Sequence, residues 1–355
     1  MYLALIRKLG LTAGTLLAIV ACGGGDGGYS TAGGGTGGTG VSYGSIAAFG
    51  SIVVNNVHFN VVNSAVTEDG VVRPSDDTDD KRGLKLGMVV EVAGTFDSDT
   101  TGTATTVTYR NNLIGPVTTM SPNPINVGGQ STIVAAGQTV LIDSQTVVAT
   151  ASTPADGNLN QSPYTTLPLA PGNVIEVSGL RDVTGHIHAT RVEVRSIDLA
   201  SFTSAGHEIE VKGTIASLGP VMNTFRIGEL IVDYGSANTQ DLPGGTPAVG
   251  QFVEVQGTSF DVMSNTLMAT EVEPVEDEGF GATTSASKAE VEGFVTDVAN
   301  FASQSQFKVG NQLVQTTVYT VFENGGPGGI AVGVKVEVDG SLAGATLTAT
   351  KVSFK

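Results

Sequence analysis

The chain has 355 residues, 34 of them acidic and 17 basic, for a net charge of −17. Such a balance repels nucleic-acid phosphates and anionic lipid, and no basic stripe offsets it, so nucleic acid is excluded as a partner. Only 14% of residues are charged and there is a single Cys, which rules out an internal disulfide framework.

In chain order, Met1 to Lys8 carries the first charges, Arg7 and Lys8, and Leu9 to Val20 is largely apolar. About a dozen apolar residues are too few to span a bilayer and suit an export signal. Ile19-Val20-Ala21-Cys22 then resembles the lipobox of bacterial lipoproteins. That resemblance implies a signal peptide over 1–21 and a Cys22 joined to diacylglycerol and acylated with palmitate-type chains. It also implies residence at the outer membrane, because Gly23 and not Asp follows the Cys. The physics is consistent: one chain anchors only reversibly, whereas two or three on one residue hold. Loss of Arg7 and Lys8 with the signal would take the net charge to −19.

Gly23 to Gly40 contains 11 glycines in 18 residues. Backbone entropy and the lack of anything to bury argue for a flexible tether over 22–40, with a span of about 25 Å. No Gly-Lys-Ser/Thr follows, so a phosphate-cradling loop is not indicated.

Periodicity decides the rest. Gly87-Met-Val-Val-Glu91-Val-Ala-Gly94 recurs as Gly172 to Gly179 around Glu176, Gly250 to Gly257 around Glu254, and Gly333 to Gly340 around Glu337. Each copy is followed by a second signature, beginning at Ala104, Ala189, Ala269 and Ala349. Each is also preceded by an opening Gly (Gly44, Gly115, Gly213, Gly293) with apolar residues two and five positions on. These are internal repeats. Aliphatics flank each Glu at strand spacing, so the reading is a β-strand with the aliphatics inward and the Glu outward in solvent. The bounding glycines are expected to start and stop it at positive φ.

The fold class expected is all-β: four tandem small antiparallel β-barrels, with helices confined to brief turns. Their spans are 41–113, 114–195, 208–275 and 288–355, with linkers at 196–207 and 276–287. Phe49, Phe59, Phe225 and Phe307 fall at core positions. These strands, with the opening Gly44 to Asn55, resemble the bacterial domain of unknown function 5666 over most of residues 42–355. The resemblance implies an OB-like small barrel in exported proteins and brings no activity with it.

Candidate sites are few. The repeated Glu91, Glu176, Glu254 and Glu337 read as solvated strand residues that deter edge pairing. Asp76, Asp77, Asp79 and Asp80 form the densest acidic run, but lack the Gly turn and distal Glu of a Ca²⁺ loop, and Lys81 and Arg82 compete for them. His186 and His188 have the spacing of two Zn²⁺ ligands, with no evident third because Asp182 lies across a turn. No metal or other cofactor is therefore expected. No Gly-x-Ser-x-Gly elbow is present, and the lone Cys is assigned to lipid. The expectation is a non-catalytic envelope lipoprotein, periplasmic or surface-exposed, that acts as a spacer or protein-binding scaffold. The alternative is an envelope polysaccharide-binding protein, weakened by the absence of Trp and by only 6% aromatic residues.

Overall fold

A computed structural model describes residues 38–48, 51–73, 83–122, 130–150, 169–276, 278–281, 283 and 285–355. Cys22, Phe49 and the acidic run Asp76 to Asp80 lie outside these. The first repeat holds β1 (Gly38–Ser45), β2 (Ile52–Val54), β3 (Val57–Asn60), β4 (Ala65–Glu68), β5 (Val71–Val72), β6 (Val89–Phe96) and β7 (Thr101–Tyr109). The second holds β8 (Leu113–Ser121), β9 (Ser131–Ala135), β10 (Gln138–Ile142), β11 (Val147–Thr150), β12 (Val174–Arg181) and β13 (Ile187–Ser196), then α1 (Leu199–Ser204). In the third are β14 (Ile209–Thr214), β15 (Ser217–Leu218), β16 (Thr224–Ile227), β17 (Leu230–Asp233), β18 (Phe252–Gly257), β19 (Ser259–Asp261), β20 (Thr266–Met268) and β21 (Glu271–Pro274). The fourth has β22 (Ser285–Asp297), α2 (Phe301–Gln304), β23 (Gln306–Val309), β24 (Gln312–Gln315), β25 (Val321–Glu323), β26 (Lys335–Ala343) and β27 (Thr346–Phe354).

The protein is all-β, and its four repeats are small barrels of one design. In the second, pairing runs β8–β12–β13–β10–β9 and returns to β8. The fourth closes identically through β22–β26–β27–β24–β23. The first follows the same order, β1–β6–β7–β3–β2, with an Ala48–Val53 bridge at the closing edge. In the third, the order survives but β14/β15, β18/β19 and β20/β21 are interrupted strands. Each ring contains one parallel pair, β3–β7, β10–β13, β17–β20 or β24–β27, which hydrophobic alternation does not reveal. Gly38 to Gly40, assigned by composition to the tether, are the first residues of β1, and α1 lies within 196–207.

The motif glycines do two different jobs. Gly87, Gly172, Gly250 and Gly333 have φ of 81°, 94°, 88° and 86°, the left-handed conformation that side chains resist. The closing glycines do not adopt positive φ. A Cβ on Gly94 would come within 2.1 Å of the Thr103 carbonyl, and one on Gly340 within 2.1 Å of Thr348. Both sit at bulges where the paired strand presses close.

Phe59, Phe225 and Phe307 are buried, as their strand positions predict. The first and fourth barrels keep separate cores, whereas those of the second and third merge into one cluster. The barrels are joined by strand pairing out of chain order. β1 pairs in parallel with β22 over four residues, and β8 pairs antiparallel with β14. The chain thus doubles back, bringing its last barrel against its first. No helix among the described residues is long and apolar enough to cross a membrane.

Candidate binding site

The repeated glutamates are where sequence and structure part. Each points away from its own barrel interior, as alternation requires, but it is not in solvent. Glu91, Glu176, Glu254 and Glu337 are 9%, 5%, 7% and 4% exposed. The correction has a simple cause: strand periodicity fixes which face a side chain takes, not whether another part of the chain covers that face.

Each buried carboxylate has found different partners. Glu176 accepts the Tyr109 hydroxyl at 2.7 Å from the end of β7 and an Arg195 Nη1 hydrogen at 2.9 Å, tying the second barrel to the first. Burial pushes its pKa up despite these contacts. Glu91 accepts the Thr283 hydroxyl at 3.0 Å, from the segment leading into the fourth barrel. Its carboxyl is raised to about 7, chiefly by burial, with Glu276 nearby adding to the rise. Glu254 accepts from Gln256 Nε2 at 2.5 Å and lies 3.4 Å from Lys212 Nζ. Glu337 is 2.8 Å from Lys355 Nζ.

Lys212 is the hub of this layer. It is 4% exposed, pairs with Glu210, and lies 3.2 Å from Asp69 of the first barrel. Burial disfavours its charge, but Glu210, Asp69 and Glu254 outweigh that and hold it protonated, with its pKa raised. A buried ammonium with three carboxylates around it is the arrangement that makes such burial tolerable.

The junction of the second, third and fourth barrels opens into a cleft of about 530 Å³. That volume lies within the range of small-ligand sites, though the lining is more polar than is usual for them. Arg181, Asp182 and His186 come from the second barrel, Glu229 and Phe252 from the third, and Glu278 from the segment before the fourth. The hairpin between β12 and β13 supplies the first set. Asp182 Oδ1 accepts from the Thr184 hydroxyl at 2.6 Å and from main-chain N–H groups of Thr184 and His186. Burial raises the Asp182 pKa, but these bonds and that from His188 outweigh it and keep the group ionised.

The two histidines are not isolated from a third group after all. Asp182 Oδ2 lies 3.1 Å from His188 Nε2 and 3.9 Å from His186 Nδ1. The turn that was expected to separate Asp182 from them folds it back between them. His188 is nevertheless committed elsewhere, its ring 4.1 Å from that of Phe294 in β22. Among the described residues, only Asp241, Glu271 and Glu273 have ligand atoms close enough together to share a metal ion. They lie outside the cleft, and Asn238 Nδ2 already donates to Glu271 at 3.1 Å.

Residues 43–108, 115–193, 212–273 and 292–353 match a family described as domain of unknown function (DUF5666). The chain belongs to this family. A search of curated proteins finds no match. Each DUF5666 match begins in the opening strand of a barrel and ends in its last strand, so the repeat is one barrel.

Sequence reasoning missed Lys212, Arg181, Glu229 and Glu278. For Lys212 a signal existed: an acid and a cation alternate with strand aliphatics in Ile209-Glu210-Val211-Lys212, which puts Glu210 and Lys212 on one face. The others become neighbours only when three DUF5666 barrels assemble, which no single repeat encodes.

Proposed function

We propose that this protein is an envelope lipoprotein, held by lipid on Cys22, whose four DUF5666 barrels form a non-catalytic scaffold that binds a protein partner. One observation carries the scaffold part: barrels that are not neighbours in sequence are joined, the first to the fourth by β1–β22 pairing and the first to the third by the buried Lys212–Asp69 ion pair. An extended spacer needs no such doubling back, whereas a body that presents a fixed surface does. The concave junction of three barrels, lined by charged groups of the second and third and of the segment before the fourth, supports a binding role over a purely mechanical one. The lipobox residues Ile19 to Cys22 support the anchor, and Gly23 after the Cys supports an outer-membrane address.

The anchor is tested by membrane fractionation of Cys22→Ser, which is expected to move the protein to the soluble fraction. Membrane association unchanged by the substitution would remove the anchor from the proposal. The scaffold is tested with the same soluble variant as bait in envelope extracts. Retention of one protein in stoichiometric amount is expected, and selective retention on polysaccharide in its place would refute it.

A further inference from the structure

The polar layer between the barrels holds a nucleophile and an electrophile side by side. Lys212 Nζ lies 3.4 Å from Asn111 Oδ1, and the two residues are 4% and 1% exposed. Asn111 follows β7, the last strand of the first barrel, and Lys212 is on β14 of the third. The main chain fixes their approach, because the Lys212 N–H donates to the Asn112 carbonyl at 3.1 Å and Val211 pairs with Leu113. Acids hold the other end of the Asn111 amide. Its Nδ2 donates to Asp69 Oδ2 at 3.0 Å and to Glu210 Oε1 at 3.3 Å. Asp69 Oδ1 also accepts the Asn111 main-chain N–H at 2.9 Å. Glu210 Oε1 is the same atom that accepts from Lys212 Nζ. One carboxylate oxygen therefore touches both the amine and the amide nitrogen. Glu210, Asp69 and Glu254 already match the three N–H donors of the ammonium, so charge balance alone does not call for an amide carbonyl against it.

We infer that Lys212 and Asn111 join in an isopeptide bond, made by the folded chain itself with Glu210 as the proton carrier. Nζ first passes a proton to Glu210. Burial disfavours both charges of that pair and pushes the carboxyls of Glu210 and Asp69 up, so the neutral amine beside a neutral acid is within reach. The Nζ lone pair then attacks Asn111 Cγ, and the Nζ–Cγ bond forms as the carbonyl electrons move onto Oδ1. Nζ loses a second proton, Nδ2 gains one, the carbonyl re-forms and the Cγ–Nδ2 bond breaks. Of the two protons that Nζ gives up, one leaves in ammonia and one stays on the Glu210 carboxyl. No oxidant or cofactor enters. Amine, amide and proton carrier are held in contact, which raises their effective concentration far above any in solution, and one turnover is enough. The product ties the start of the second barrel to the third covalently. It needs neither the anchor nor a partner, so it stands apart from the scaffold reading.

The test is peptide mapping of the full chain, purified in soluble form as Cys22→Ser and fully denatured before digestion with trypsin. Residues 111–181 are expected to emerge joined to 196–226, uncut after Lys212 and lighter than the two peptides by one ammonia. Glu210→Gln keeps the shape but cannot carry the proton, and is expected to slow formation about 100-fold or more. Lys212→Arg, which keeps the charge without a nucleophilic amine, is expected to abolish it. A digest of the parent in which 111–181 and a peptide ending at Lys212 appear only as separate chains overturns the proposal, whether or not either variant folds. So does a cross-link that contains Asp69 and has lost water, because the bond then lies on the neighbouring acid. Cross-linking undiminished by Glu210→Gln overturns the role given to Glu210.

Discussion

Two of the seams between the four barrels are built on different principles. Where the second barrel meets the third, β8 and β14 pair over only two residues, Leu113 with Val211 and Ile114 with Glu210. Behind that short contact the two interiors fuse into one apolar cluster. The first and fourth barrels share a longer strand contact, Gly40 to Tyr43 against Lys288 to Val291, yet their cores stay apart. There the bridging is done by individual groups: Val41 enters the core of the fourth barrel, and Ser42 donates to Glu290 at 3.2 Å. Neighbours in sequence at 196–207 share burial, whereas the ends of the chain are clasped by a strand and a few polar contacts.

If that contrast is right, the 2–3 seam should break hardest. Lys212 lies beside it on β14 and neutralises Glu210, Asp69 and Glu254. Lys212→Ala would leave those acids buried without a cation and is expected to cost about 3–5 kcal/mol at neutral pH. Denaturant titration would check it, and the loss should shrink in acid as the carboxylates protonate. Leu113→Ala, at a fully buried position of the merged cluster, should cost about 2–5 kcal/mol and lower amide protection in both barrels together. Val41→Ala, equally buried but a single intruder, should cost about 2 kcal/mol and loosen the fourth barrel without the second or third. Hydrogen exchange that spreads equally in both cases would erase the distinction between the seams.

The contrast also marks what can be read from sequence. Glycine-bounded strands, four repeats and buried Phe59, Phe225 and Phe307 follow from local rules: positive φ needs glycine, and alternation of period two selects one face. The same rules placed Glu91, Glu176, Glu254 and Glu337 on the correct face and in the wrong environment. Whether an outer face is wet depends on which barrel folds back upon it, and β1–β22 pairing joins residues about 250 positions apart. The cleft is legible only to the extent that His186 and His188 drew attention to its edge. Glu229 and Glu278 belong to segments that have no sequence relation to that hairpin.

The 1–4 seam should also respond to pH in its own way. Glu290 is 2% exposed, directly opposite Asp339 across β22 and β26, and its carboxyl is raised to about 8 by burial and then by that neighbour. A folded-state pKa raised above the unfolded value means that the folded protein holds the proton more tightly. Stability from this group is therefore full below about pH 4.5 and declines as pH rises through about 8. Glu290→Gln, which removes the charge and keeps the shape, should flatten that decline and make the variant more stable than the parent by about 1–2 kcal/mol above pH 8. Melting curves at pH 6 and pH 9 would reveal it, and an unchanged pH slope would mean that Glu290 is ionised in the clasp.

The smallest effect expected at this seam is that of Ser42→Ala. Ser42 is fully buried, and its hydroxyl both donates to Glu290 and accepts from Asn55 Nδ2 at 3.0 Å. Removing it leaves the Asn55 amide its second bond, to the Tyr43 carbonyl at 3.0 Å, so only part of the network is lost. The cost should be about 1 kcal/mol, the net worth of a buried hydrogen bond. It should also depend on pH. The Ser42 hydroxyl stabilises the ionised carboxylate more than the neutral acid, so its loss pushes the Glu290 pKa further up. Ser42→Ala should consequently be more damaging at pH 9 than at pH 6. Combining it with Glu290→Gln should abolish that difference, because the group whose charge the hydroxyl stabilised is gone.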